Sequence, residues 1–248
     1  MSDTPTIGVV IGTHARMSYI GQQIEAIRRQ TIRSACIHVW HDGPKSPPVC
    51  DASVIVTGSQ IRQGVWQRFY YAASLATDFV CIFDDDTIPG PRWFENCLRT
   101  HAETGGLVGA AGVRFPAGDR SLRPKFGWPR PNDRIDEVDV IGHAWFLPRR
   151  WLGYFVLEPR MPGCPSTAGE DYHLSFSLQK HLGVKSFACP HPPGDQDFWG
   201  SLKGRKYGND RHALWNQTSE HVKKIQIHNY YRAHGWQLVQ TPPPSSST

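Results

Sequence analysis

The chain has 248 residues, with 27 Lys and Arg against 22 Asp and Glu, 39% hydrophobic and 20% charged, which suits one compact domain whose core needs no staple. Aromatics at 11%, including nine Trp, exclude a disordered chain, while 23 Gly and 20 Pro predict many loops; no period supports a collagen-like or coiled-coil reading. The opening MSDTPTIGVV lacks a basic-then-apolar leader and no run of roughly 18 apolar residues occurs, so a soluble, non-secreted protein without stable membrane insertion is expected, cytoplasmic or, if viral, in the host-cell cytoplasm.

TIGVVIGTHAR predicts a buried strand over Ile7 to Ile11 that ends at Gly12 and a polar loop, followed by a helix through Ile20, Ile24 and Ile27. CIHVWHDG predicts the second strand, Ser53 to Thr57 a third, Val65 to Ala76 a helix and Phe79 to Phe83 a fourth strand. Strand and helix alternate over short links, so residues 1–87 read as a nucleotide-binding half of an α/β fold: a mostly parallel, Rossmann-like sheet flanked by helices. Residues 88–191 continue it, with a helix over Pro91 to His101, a strand at LVGAAGVRF, strand character in EVDVIGHAWFLPRRWL, a helix through Leu174, Leu178 and Leu182, and a strand at VKSFACPH. Regular pattern is lost over 116–133, read as a functional loop or lid, and again over 192–240, an irregular basic and aromatic extension; residues 241–248 read as a disordered tail. Six scattered Cys, with no CxxC or CxxH pair, read as reduced thiols rather than a zinc cluster. The net charge of +5 favours anionic partners.

The chemistry concentrates in CIFDDDT, where an apolar strand delivers Asp84, Asp85 and Asp86 to the carboxyl edge of the sheet. Adjacent carboxylates repel unless a cation offsets them, and oxygen ligands suit Mg²⁺ or Mn²⁺ carrying nucleotide phosphates. In an extended chain Asp84 and Asp86 share one side and Asp85 faces the other. The competing reading is an acidic turn capping the next helix.

These aspartates match a DxD element, and the ordered set VVIGTHAR, Gln30-Thr31, His41-Asp42-Gly43, GVWQRF, VDVIGHAWFLPRR and Gly169-Glu170-Asp171 resembles a nucleotide-sugar glycosyltransferase of the GT-A fold, close to glycosyltransferase family 2. His41 departs from the family's Asp-Asp-Gly. The resemblance implies a metal-dependent, inverting transfer from a nucleoside diphosphate sugar, a UDP-sugar first, to an acceptor hydroxyl. It implies Thr13, Arg16, Asp42, Arg68, Asp84 and Asp85 at the donor nucleotide, Asp86 and Asp84 on the metal with His191 as a returning ligand, and Gly142, His143 and Trp145 near sugar and acceptor. Asp171 is then the base that deprotonates the acceptor and Glu170 orients it. Lys203, Arg205 and Lys206, among glycines beyond the matched segment, are expected to form a lid on the diphosphate, or else a solvated basic loop.

A nucleotidyltransferase is the rival enzyme, disfavoured because IGTHARMS is poor in glycine and cations; a non-catalytic carbohydrate- or nucleic-acid-binding module is the rival from another class. For the acceptor, Arg114, Phe115, Arg120, Arg123, Lys125, Phe126, Trp128, Arg130 and Arg134 interleave cations with aromatics, which fits a saccharide or a hydroxymethylated base in DNA.

Overall fold

The computed structural model describes residues 4–14, 16–115, 124–202, 204–207 and 218–239. The elements of the first half are β1 (Ile7–Thr13), α1 (Ile20–Arg28), β2 (Cys36–Asp42), β3 (Val54–Ser59), α2 (Gln67–Ala73) and β4 (Phe79–Asp84). β2 pairs β1 and β3 in parallel and β1 pairs β4 in parallel, so Thr13, Asp42 and Asp84 all end at one edge. Alternation along β1 sends Ile7, Val9 and Ile11 into one core and Val10 into the other. The first core holds α1 (Ile20, Ile24, Ile27) and α3 (Trp93–Thr104); the second holds Trp66 and Phe69 of the α2 region. The result is the expected mixed α/β domain, a largely parallel sheet covered on both faces.

The second half adds β5 (Leu107–Val113), β6 (Lys125–Gly127), β7 (Asp136–Val138), β8 (Val140–Pro148), α4 (Leu152–Leu157), α5 (Glu170–Leu182) and β9 (Ser186–Ala188). The order across the nine-stranded sheet is β3-β2-β1-β4-β8-β5-β9-β7, with β6 on β5. β8 lies antiparallel between β4 and β5. An antiparallel neighbour does not need the crossover helix that a parallel return requires, and the described residues between β5 and β8 include the short strands β6 and β7. EVDVIGHAWFLPRRWL, expected to have strand character, divides into β7, β8, a 3-10 turn at Arg149–Trp151 and the start of α4.

The stretch expected to be irregular after residue 191 contains α6 (Gly204–Tyr207) and the 16-residue α7 (Thr218–Ala233). Ile227, Tyr231 and Trp236 pack with Tyr172 and Phe176 of α5 in a third apolar cluster. Asp139 secures the chain beyond α7, accepting from Phe115 N and Val239 N, both at 2.6 Å. The described part of this segment that carries α7 therefore belongs to the fold. Among the described residues no helix is long and apolar enough to cross a membrane.

Candidate metal and acid-base site

β4 ends at Asp84, and Thr87 N closes the following turn onto Asp84 O at 3.3 Å, with Gln23 Nε2 donating to the same carbonyl at 2.9 Å. Arg68 reaches this turn beneath β1, past Gly12, where an added Cβ would come 2.7 Å from its Cδ. Its guanidinium lies 4.8 Å from the Trp145 ring, donates to Asp84 Oδ1 and donates to Glu170 Oε1 at 3.0 Å. Arg16 donates through Nη1 to Asp85 Oδ1 at 3.1 Å and to Asp86 Oδ2 at 3.0 Å. Thr13 Oγ1 donates to Asp85 Oδ2 at 3.5 Å.

Each outer aspartate is thus held on one oxygen, and the other faces His143. Its Nδ1 is 3.7 Å from Asp84 Oδ2 and 3.3 Å from Asp86 Oδ1. The register of β8 against β5 shifts between Gly109 and Ala111, a bulge that re-aims the side chain, and His143 takes a left-handed φ of 73° there. The Trp128 ring covers the imidazole at 4.7 Å.

Ligand atoms of Asp84, Asp86 and His143 all lie within 4.8 Å of one another. Asp86 Oδ1 and His143 Nε2 are buried and make no hydrogen bond. Two carboxylates and an imidazole, with an unsatisfied oxygen turned toward the ring, fit a divalent first-row metal; the nitrogen donor suits Mn²⁺ better than Mg²⁺.

Electrostatics separates the carboxylates. Burial pushes Asp84 upward, but Arg68 and His143 outweigh it and hold the group at about 2. Asp85, buried beside Asp86, is pushed up to about 7 despite Arg16. Burial lowers the His143 pKa, yet Asp86 and Asp84 raise it above its ordinary value overall.

A second carboxylate pair opens α5. Gly169 precedes it at φ 95°, and an added Cβ there would meet Ile227 Cδ1 of α7 at 2.8 Å, so the helix start and α7 fit only without a side chain. Burial and then Asp171 push Glu170 up to about 7, with Arg68 opposing. Asp171 is also raised by burial, and the Lys224 ammonium on α7 acts against that rise. Arg68 joins Glu170 to Asp84, and hence the start of α5 to the acidic turn.

The other expected residues fall into distinct places. Asp42 accepts from Gln63 N at 2.6 Å and Gly64 N at 2.9 Å, so it organises the loop between β3 and α2. Gly64 is needed there: its φ is 91°, and a Cβ would sit 2.0 Å from Ser166 O. Gly142 neighbours His143 on β8, while Trp145 is 2% exposed and donates to Ile141 O at 2.7 Å within the core.

His191 does not join the ligand group. It is 0% exposed, and its Nδ1 pairs with Cys189 O at 2.8 Å while Nε2 accepts from Gly200 N at 2.9 Å. Burial first, then the His143 charge, lower it to about 4, in keeping with a neutral ring held by backbone. The resemblance put His191 on the metal and His143 near the sugar; the bulge in β8 brings His143 to the aspartates, while backbone bonds hold His191 away from them.

Arg114 is engaged by Glu137 O at 2.6 Å and by Asp136. Lys125, Arg130 and Arg134 are exposed, and Lys206 is exposed on α6. Arg120, Arg123 and Lys203 lie outside the described residues. Sequence reasoning gave Trp128 no place over His143 and Lys224 none beside Asp171, because neither lies near its partner in the chain.

No family model matches the chain, and no curated protein matches it. Among solved structures it is similar to the mannosyltransferase PcManGT from Pyrobaculum calidifontis in complex with GDP-Man and Mn²⁺, with a TM-score of 0.59, 14% identity, and coverage of 98% of this chain and 67% of that one. At that identity the likeness is one of fold, and the α/β architecture read from the sequence is the architecture these two chains share.

Proposed function

We propose that the protein is a Mn²⁺-dependent glycosyltransferase that moves a sugar from a nucleoside diphosphate sugar to an acceptor hydroxyl, with inversion at the anomeric carbon. The observation that supports it best is the meeting, at one sheet edge, of the Asp84, Asp86 and His143 ligand atoms with a second carboxylate pair tied to them through Arg68. Those three residues would hold a divalent ion, which would supply positive charge for the departing nucleoside diphosphate. Arg68 and Arg16 keep the unused aspartate oxygens occupied, which fixes the open ones. Asp171 accepts the proton of the acceptor hydroxyl as that oxygen attacks the anomeric carbon from the face opposite the diphosphate, and Glu170, steadied by Arg68, orients the acceptor. Thr13 and Asp42 stand at the ends of β1 and β2, where the nucleotide would lie, and Asp42 shapes that border through its bonds to Gln63 N and Gly64 N.

The similar mannosyltransferase carries GDP-Man, which places guanosine beside uridine as the donor base to test. The acceptor we propose is a saccharide, held by the stretch that carries the half-buried Trp128 and the exposed Arg130 and Arg134. The experiment is nucleoside diphosphate release from UDP-, GDP- and dTDP-sugars with Mn²⁺, followed by labelling of oligosaccharide and hydroxymethylated-DNA acceptors. Turnover of at least one donor is expected; no release from any of them contradicts the proposal. Labelled DNA, with binding that weakens steeply in salt, would replace the saccharide by a modified base. Asp171→Asn is expected to lose transfer by about two orders of magnitude or more while nucleotide binding persists. Undiminished transfer removes Asp171 from the mechanism.

A further inference from the structure

Beyond β9 the chain returns to the carboxylate edge as a strap anchored at two places. Its first anchor is His191, which holds Gly200 N while lying between the rings of Trp93 and Trp199, at 5.6 and 6.0 Å. Gly90 N donates to Trp199 O at 2.8 Å and Leu202 N donates to Ile88 O at 2.7 Å, so this part runs beside the segment that leaves Asp86 and Thr87.

The second anchor is Tyr207, the last residue of α6. Its ring stacks on Tyr19 with centroids 3.7 Å apart and planes 9° apart, and its hydroxyl donates to Gln22 Oε1 at 2.9 Å. Tyr19 is the N-cap of α1 and Gln22 lies in its first turn, just past Arg16, and the adjacent Gln23 holds Asp84 O. Tyr207 is 6% exposed, although α6 has only four residues and cannot persist as an isolated helix. Contacts made by the Tyr207 side chain, not helix propensity, therefore hold the end of α6 in place. Nothing in the reading of the acidic turn or of Asp171 accounts for this clasp.

We propose that Tyr19, Gln22 and Tyr207 are positioning residues for the donor: their clasp holds Gly204–Tyr207 across the edge that carries Asp84, Asp86 and Arg16, bringing Lys206 to the diphosphate and keeping water from the anomeric carbon. The inference rests on the nucleotide-sugar reading above. When the clasp opens, water competes with the acceptor. Its oxygen bonds the anomeric carbon, the sugar–phosphate C–O bond breaks, the diphosphate leaves with the electron pair, and the released proton passes to solvent.

The test measures Mn²⁺-dependent binding of UDP and GDP by calorimetry and, with UDP-glucose and GDP-mannose, the ratio of free sugar released to sugar transferred. Tyr207→Ala is expected to weaken nucleotide binding about tenfold and to raise that ratio, which corresponds to loss of one aromatic pair. Tyr207→Phe keeps the stack and is expected to stay within about threefold of wild type. Gln22→Ala, at an exposed helix position where folding is not at stake, is expected to weaken binding by about threefold through loss of the hydroxyl's partner. If wild type binds a nucleotide and both Tyr207→Ala and Gln22→Ala bind it equally well with an unchanged ratio, this inference fails alone. If wild type binds neither UDP nor GDP with Mn²⁺, the donor reading fails and the inference falls with it.

Discussion

Asp84 and Asp86 are each tied on one oxygen by an arginine and open on the other, so their open oxygens and His143 Nδ1 turn toward a common point. Binding there exchanges charge repulsion for coordination, and the imidazole supplies the nitrogen donor that separates Mn²⁺ from Mg²⁺. His143→Ala is expected to reduce Mn²⁺ affinity by about 10- to 100-fold in calorimetry or electron paramagnetic resonance, on the scale of losses seen when a metal site is altered. His191→Ala is expected to behave in the opposite way. It deletes a buried bond to Gly200 N and costs about 1–3 kcal/mol of unfolding free energy in urea, with Mn²⁺ affinity close to wild type. Loss of Mn²⁺ binding in His191→Ala, with a stable fold and intact affinity in His143→Ala, would reverse these assignments. The sequence made the aspartates legible because an apolar strand ending in three acids has few other uses. It pointed to His191 for the metal and not to His143, since a bulge and a left-handed φ are properties of a strand pairing and leave no local signature.

The elements that deliver these side chains differ in how plainly they were written. β1 and β4 are continuous apolar runs bounded by polar loops, and α1 carries its buried stripe at Ile20, Ile24 and Ile27, so period alone located them. α7 buries Ile227 and Tyr231 while much of its remaining surface is polar, and that weak stripe is why its stretch read as irregular. Because Ile227 is 0% exposed against α5, Ile227→Ala is expected to cost about 2–5 kcal/mol in chemical denaturation, where a loosely attached extension would lose almost nothing. Asp139 gives the same segment a pH signature. Burial raises it to about 6, opposed by the Phe115 and Val239 amides. A carboxyl whose folded pKa exceeds its unfolded value stabilises most when protonated, so that contribution declines as pH rises through about 6. Asn cannot ionise, and the stability advantage of wild type over Asp139→Asn is therefore expected to shrink by up to about 3 kcal/mol between roughly pH 4 and pH 7. An advantage that is constant or grows over that range would contradict the burial of an ionisable Asp139.

Over the whole molecule, the parallel half places the acidic turn and the antiparallel insertion of β8 places His143 against it, so the site exists only where the two halves meet. Sequence patterns exposed the first half almost completely, because βαβ units fold from local periodicities. The second half depends on pairings between distant segments, Arg68 with Glu170 and Trp128 with His143 among them, and such pairings are visible only after the sheet has formed. A fold shared with a mannosyltransferase at 14% identity agrees with this division: the architecture is retained while much of the sequence that fills it differs. The central claim is that the Asp84, Asp86 and His143 cluster is where a metal meets the donor. Anomalous diffraction at the manganese edge, from crystals grown with Mn²⁺ and UDP or GDP, tests it most directly. The account predicts one strong peak ligated by Asp84, Asp86 and His143 and bridged to the diphosphate; a nucleotide bound with manganese at His191, or with no manganese at these three residues, would contradict it.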